Sequence, residues 1–249
     1  MKKILLIIFL FLFSFTLVAC QNEPIDMSIE DAFDLMNEAI QNYLDAESLE
    51  LDYQGEYAST AHLMRDDLRI RIKRIGSENQ VGLIDVNMVV NDVPSSVITN
   101  YQNGIIYNNN INENSQSTKT FQAQTQDAFV KLYTMFLKKQ IDEDNVQDVQ
   151  YHASSKDIKL SFLLSSTVVE ETLYILPVMD YAKSASVSIT FSEKAKLLSM
   201  SVAFEARIDN VYGDFSYSVN FVKIDTYVIV PTLSASEIAL YKEVEENEE

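Results

Sequence analysis

Residues 198–208 read LSMSVAFEARI, and every second side chain in this stretch is apolar. A β-strand points successive side chains to opposite faces, so a period of two residues indicates a strand with one buried face and one solvated face. Residues 215–221 read FSYSVNF and repeat the pattern. Alternation of this kind is typical of antiparallel sheets, because parallel sheets are covered on both faces.

The same period recurs along most of the chain. Residues 49–54 and 68–73 alternate apolar with charged or polar side chains, acidic in the first stretch and basic in the second. If these two strands pair, opposite charges face each other, and each pair contributes about 0.2–1 kcal/mol. Asn103-Gly104 predicts a type I′ hairpin turn, which needs two positive φ angles. Further strands are predicted at 81–91, 95–101, 105–107, 149–153, 158–164 and 187–191.

Three stretches have the spacing of amphipathic helices. Ser28-Ile29-Glu30-Asp31 resembles a capping box and predicts a helix over about 28–45. A second helix is predicted over 126–141, and a third from Thr167 to about 182 with an interruption at Pro177. The polar stretch 108–120 predicts a mobile loop, and residues 241–249 predict a solvated, frayed acidic tail.

About ten antiparallel strands and three helices predict an α+β fold. A single sheet of this size must curl, so we expect a curved antiparallel sheet, an unclosed β-barrel, whose apolar face is covered by the helices. We expect one domain over 28–240.

Composition excludes several functional classes. Lys and Arg total 19 against 37 Asp and Glu, a net charge of −18, whereas a nucleic-acid binder needs clustered cations. The single Cys cannot form an intramolecular disulfide or a Cys-rich zinc site. His62 and His152 share no ligand spacing, and the acidic stretch 142–145 lacks the Gly and Glu of a calcium loop. We therefore predict no metal, no cofactor and no catalytic residues, and expect that the protein is not an enzyme.

The first twenty residues, MKKILLIIFLFLFSFTLVAC, have the pattern of an export signal. Two Lys precede an apolar stretch, Ile4 to Val18, which is short for a membrane-spanning helix. Leu17-Val18-Ala19-Cys20 resembles a bacterial lipobox, which implies a signal peptide at 1–19, acyl chains such as palmitate on Cys20, and a tether at 20–27. The alternative is an ordinary signal sequence with an incidental thiol. We expect a lipid anchor that holds the protein on the extracytoplasmic side of the cell membrane.

Three segments resemble the LolA/LolB/LppX-type fold of bacterial lipoproteins and lipoprotein carriers. They are DLMNEAIQNYLDAESLELDYQGEY at 34–57, YQNGIIYNN at 101–109 and FSYSVNFVKIDTYVIVP at 215–231. The resemblance implies an unclosed half-barrel with helices over an apolar cavity, in a family whose members bind acyl chains or lipids. The resemblance does not assign any ligand-contacting residue of the family to a position in this sequence.

Two functional hypotheses follow from the apolar stripes. In the first, a non-catalytic lipoprotein binds a lipid or another hydrophobic ligand in the half-barrel. The second is a structural or protein-interaction lipoprotein whose half-barrel is filled by its own side chains, as any core would be. A third, weaker hypothesis is a hydrolase with a polar cluster around His62 or His152. The candidate ligand-lining residues of the first hypothesis are Phe129, Leu132, Phe136, Met200, Phe204, Phe215, Tyr217 and Phe221.

Overall fold

A computed structural model describes residues 25–134, 136–154, 156–173, 181–208 and 210–244. Side chains are described for all of these except 131–134 and 181–182. Cys20, the signal sequence and residues 245–249 lie outside the described residues.

Helices and strands follow one another in an order that places most strands beside their chain neighbours. The helices are α1 Ile29–Leu44, α2 Gln126–Thr134, α3 Val169–Thr172 and α4 Ala235–Ile238, with a 3₁₀ turn at Glu143–Asn145. The strands are β1 Ser48–Ser59, β2 Leu63–Lys73, β3 Val81–Val90, β4 Val93–Gln102, β5 Ile105–Ile111, β6 Ser117–Ala123, β7 Val146–Ala153, β8 Ile158–Leu164, β9 Tyr181–Ala182, β10 Ala185–Ser192, β11 Lys196–Ile208, β12 Val211–Ile224 and β13 Lys242–Glu243.

In the described part of the chain these strands form one sheet. Its order is β13-β6-β5-β4-β3-β2-β1-β12-β11-β10-β8-β7, and β9 pairs with the end of β11. All neighbours are antiparallel except β13 and β6, which are parallel. The sheet is curved and unclosed, which confirms the predicted α+β half-barrel, although it has more strands than the ten expected.

The two-residue period holds in the strands that the sequence singled out. In β11 the side chains at 200, 202, 204, 206 and 208 are buried on one face, which we call the inner face. A bulge lies near the start of β11, where Thr190 pairs with Ser199 but Phe191 pairs with Leu197. Because of this extra residue, Leu197 is buried in place of Leu198, and the alternation predicted from 198 was wrong at its first position.

The opposite face of the sheet, the outer face, carries the predicted charge pairing of β1 and β2. Arg69 Nε lies 2.7 Å from Asp52 Oδ1, and Arg65 Nε lies 2.8 Å from Glu56 Oε2. The predicted β4–β5 turn is also present, with φ angles of 53° at Asn103 and 75° at Gly104.

Helix α1 confirms the first predicted helix. The Ser28 hydroxyl accepts a hydrogen bond from the Asp31 amide at 3.0 Å, and this caps the first turn. The apolar side of α1 packs on the inner face, where Tyr43 meets Phe221 edge-on at 5.1 Å and Phe33 lies 6.1 Å from Phe162.

The other two predicted helices were too long. Helix α2 ends at Thr134, and Leu137 forms an isolated bridge with Leu173 instead of continuing the helix. The third has only one turn, α3, whose N-cap is Val168 rather than Thr167 and has no side-chain cap. Residues 174–180, including Pro177, lie outside the described part of the chain.

The predicted loop at 108–120 was also wrong. β5 and β6 extend into it and leave a turn at 112–116, because Asn and Thr side chains can line strands that are exposed on one side. Of the predicted tail, Lys242 and Glu243 pair with β6, and Tyr241 packs on Tyr107 with ring centroids 5.4 Å apart.

Gly82 of β3 is placed where a side chain would collide with the ring of Phe129. A Cβ at this position would lie 2.4 Å from Phe129 Cε1, and that ring is stacked on Tyr101 at 4.5 Å. Gly82→Ala normally stabilises a strand, but here we expect a loss of about 1–3 kcal/mol in the free energy of unfolding, because the ring has no room to move. Urea denaturation measures this loss. In a Phe129→Leu background the same substitution is expected to be neutral or stabilising, and an equal loss in both backgrounds would contradict the steric explanation.

Candidate functional site

Seven of the eight candidate ligand-lining residues have described side chains, and all seven are buried. Their exposed fractions are 5% or less. Met200, Phe204, Phe215, Tyr217 and Phe221 lie on the inner face of β11 and β12. Phe129 projects from α2, whereas Phe136 lies beyond its end rather than on it. The side chain of Leu132 lies outside the described part of the structure.

Where β1 meets β12, aromatic rings fill the inner face. Phe136 stacks on Tyr53 with centroids 5.1 Å apart and lies 6.4 Å from Tyr217. Phe204 meets Phe215 edge-on at 5.1 Å. These residues therefore contact one another and form a close-packed core in this region, as the second hypothesis requires.

The inner face continues beyond this core onto β2, β3 and β4, where it is less covered. Six apolar side chains there are only half-buried: Met64, Leu68, Val86, Met88, Val90 and Val97. Val93, on the same face, is 49% exposed. This set of seven residues, the open inner patch, is an apolar surface of the half-barrel that described side chains leave partly accessible.

An acidic residue, Asp66, lies in the middle of the open inner patch. In β2 it follows Met64 and precedes Leu68 on the inner face, and it pairs with Gly55 of β1 and Met88 of β3. A Cβ on Gly55 would lie 2.2 Å from the Tyr53 hydroxyl and 2.3 Å from Asp66 Oδ1. The missing side chain of Gly55 thus gives both oxygens their space, and the Tyr53 phenol lies beside the carboxyl and lowers its pKa.

Burial raises the pKa of Asp66 from its ordinary value of 3.8 to about 6. The hydrogen bond from Tyr53 opposes this shift, and the neighbouring charge of Asp67 adds to it. Removing a carboxylate from water disfavours its charged form, which explains the direction of the shift. A carboxyl with a pKa of about 6 thus lies among the apolar residues of the open inner patch.

We did not predict Asp66 from the sequence, although a signal was present. The inner-face positions of β2 read Met64, Asp66, Leu68, Ile70 and Ile72, so a single acidic residue interrupts an apolar series. Gly55 interrupts the matching series of β1. The two exceptions pair in the register of β1 and β2, which only the fold reveals.

The outer face carries a polar groove of about 580 Å³ over β2, β1, β12, β11 and β10. Its lining includes Gln54, Glu56, Arg65, Ser188 and Ser218. These are hydrophilic side chains, and they do not suit an alkyl chain.

The histidines do not come together. His62 lies between β1 and β2, whereas His152 lies on β7, five strand spacings from β1. Among the described residues no group of three His, Cys, Asp or Glu side chains could hold a metal ion. No helix within them is both long enough and apolar enough to cross a bilayer.

Comparison with solved structures finds similar folds at low sequence identity. The lipoprotein LppX of Mycobacterium tuberculosis matches with a TM-score of 0.47 and 10% identity, over 82% of this chain and 100% of LppX. LprF of Mycobacterium bovis matches with a TM-score of 0.46 and 11% identity, over 82% of this chain and 97% of LprF. No protein-family model and no curated protein matches the sequence. Both matches concern the fold alone.

The raised pKa of Asp66 makes a prediction about stability. Between about pH 4 and pH 6 the folded chain binds more protons than the unfolded chain, so stability falls as pH rises through this window. Asp66→Asn removes the cost of the buried charge. We expect it to raise the free energy of unfolding by about 1–2 kcal/mol at pH 7 and to change it little at pH 4.

Urea denaturation at both pH values measures this difference, with Asp214→Asn on the exposed outer face of β12 as the matched control, because the charge of Asp67 itself contributes to the pKa of Asp66. An effect of Asp66→Asn that is equal at pH 4 and pH 7 would show that the carboxyl is not desolvated in the folded chain.

Proposed function

We propose that this protein is a membrane-anchored lipoprotein of the extracytoplasmic side that binds a lipid or another hydrophobic ligand without catalysing a reaction. The observation that carries the proposal is the open inner patch, an apolar surface inside a half-barrel next to a close-packed core. Accessible apolar side chains grouped on one surface are characteristic of ligand-binding and interaction sites.

We propose a position for the ligand that differs from the one expected from the sequence. The buried candidate residues pack beside the open inner patch rather than within it. Their rings already contact one another, as those of Phe136, Phe215 and Tyr217 do. We propose that an alkyl chain lies along Met64, Met88 and Val97 instead. Methionine side chains are flexible and adapt to alkyl chains of different shape.

The anchor follows from the lipobox at Cys20 together with a short tether. Six residues, 21–26, reach at most about 20 Å, so the half-barrel stays close to the bilayer that would supply its ligand. A net charge of −18 repels anionic lipid surfaces, and attachment therefore depends on the acyl chains rather than on adsorption.

A second candidate function is that of a structural or protein-interaction lipoprotein. The contacts among Tyr53, Phe136 and Tyr217 favour it, because they leave this part of the half-barrel filled by its own side chains. In that case the open inner patch would contact a protein rather than a lipid.

Photo-crosslinking distinguishes the two functions. The intact lipoprotein in phosphatidylcholine vesicles is irradiated with a long-chain alcohol that carries a diazirine in its alkyl chain, and the modified peptides are mapped by mass spectrometry. We expect adducts in β2–β4, and about tenfold fewer for Met88→Glu, because a carboxylate is costly beside an alkyl chain. Val222→Glu on the outer face is the matched control. Adducts spread evenly over both faces would favour the second function.

Acylation of Cys20 has a separate test. Cys20→Ala is expected to abolish incorporation of labelled palmitate and to move the protein out of the detergent phase, because no acyl chain remains. Ser14→Ala, within the same apolar stretch, should change neither result. Unchanged labelling of the Cys20→Ala variant would exclude this residue as the acylation site.

A further inference from the structure

Among the described side chains, no cation lies beside Asp66 on the inner face. The flanking arginines point to the outer face, where Arg65 pairs with Glu56 and Arg69 pairs with Asp52. Within the described residues no ion pair includes Asp66, and no cation contributes to its pKa. The groups that lower its pKa are both uncharged, the Tyr53 phenol and the backbone of Asp66 itself.

The carboxylate of Asp66 has room to accept further hydrogen bonds. Each carboxylate has about four lone-pair sites, and the Tyr53 phenol and the backbone of Asp66 account for at most two of them. Because Asp66 is half-buried rather than sealed, a group that enters the open inner patch can reach it. The strongest such contact for a partly desolvated carboxylate is a charge-assisted hydrogen bond from a cation.

The side chains around Asp66 supply the apolar half of a site. Met64 and Leu68 lie on either side of it along β2, and Met88 lies opposite it on β3. A molecule that contacts both the carboxylate and these side chains must be amphiphilic, with a polar head and an alkyl chain.

We infer that the Asp66 carboxylate, held by Tyr53 above Gly55, binds the cationic nitrogen of an amphiphile whose alkyl chain lies on the open inner patch. The ligand class is a long-chain amine, or another amphiphile whose cationic head carries N–H donors, which the quaternary nitrogen of phosphatidylcholine lacks. A fatty acid with an alkyl chain as long as that of the amine places a second negative charge beside Asp66, and it therefore binds more weakly than the amine. This inference rests on the proposed function and names the chemistry of its ligand.

Competition in the crosslinking assay tests the head group. Hexadecylamine, hexadecanol and hexadecanoic acid each compete with the photoreactive alcohol for the intact lipoprotein in phosphatidylcholine vesicles at pH 7.5. We expect hexadecylamine to compete about tenfold better than hexadecanol, as one charge-assisted contact allows, and hexadecanoic acid to compete least well.

Asp66→Asn isolates the contribution of the carboxylate. The three compounds partition into the vesicles equally with either protein, so a change in their ranking comes from residue 66. We expect this variant to bind hexadecanol as the unmodified chain does and to lose the preference for the amine. Asp67→Asn, which removes the same charge from the outer face, is expected to keep the preference and so controls for the acidic surface.

A pH series in the unmodified protein gives a second measurement that needs no variant. Tyr53 from β1 and Tyr217 from β12 lie on the inner face near Asp66, Asp67 is its chain neighbour, and β3 contributes the non-titrating Met88. The amine stays charged from pH 5 to pH 8, whereas Asp66 takes up a proton near pH 6. The preference for the amine is therefore expected to fall at pH 5.

Each outcome separates this inference from the proposed function. If hexadecanol competes and hexadecylamine is no better, the head-group site is wrong and the hydrophobic site stands. If the preference survives in Asp66→Asn, the cation binds elsewhere. If none of the three competes, both proposals fail together.

Discussion

The pairing of β1 with β12 is the interaction on which the rest of the structure depends. Strands β1 to β6 follow one another as hairpins, as do most strands from β7 to β12, and β1 joins the two groups from opposite ends of the chain. This pairing makes one sheet out of two, and it sets Leu51, Tyr53 and Tyr57 beside Phe221, Val219 and Phe215 on a single inner face. A slip of one residue would turn every one of these side chains outward, so burial of the aromatic rings fixes the register. Because the contact is non-local, it costs more chain entropy than the hairpins do.

The sequence was sufficient where one face of an element is buried. Strands β8, β10, β11 and β12 and helix α1 were predictable because burial imposes a clear period on each of them. It was insufficient where both faces are polar or the contact is distant. The β5–β6 hairpin is rich in Asn and Thr and has no apolar period to detect. The stretch after Thr134 keeps a helical period, yet Leu137 leaves the helix to pair with Leu173, a contact that no local pattern encodes.

The candidate site divides in the same way. Periodicity was enough to put Met200, Phe204, Phe215, Tyr217 and Phe221 on one face, because the pattern reports burial. It could not tell a filled core from an open cavity, since both have the same alternation. That distinction depends on which rings pack where β1 meets β12. The ring of Phe136 packs on Tyr53 there, and it comes from the segment after the end of α2, which the sequence predicted to be helical. The sequence also did not indicate the roles of Gly55 and Gly82, because each glycine makes room for side chains from other parts of the chain.

The packing of the fold does not explain why an acidic residue stands at position 66. In an apolar register, a Leu or Val at this position would pack against Met88 without the cost of desolvating a charge. The hydrogen bond from Tyr53 reduces that cost but does not cancel it, since the pKa still lies above its ordinary value. The folded chain thus bears the cost of a partly desolvated carboxylate at neutral pH, at a position where an acidic side chain lies within the open inner patch. Unfavourable electrostatics of this kind are characteristic of binding sites, where a ligand supplies the missing charge. A cationic head group would restore the neutralisation that the outer face obtains from its own arginines, while its alkyl chain would cover the apolar surface that the helices leave exposed.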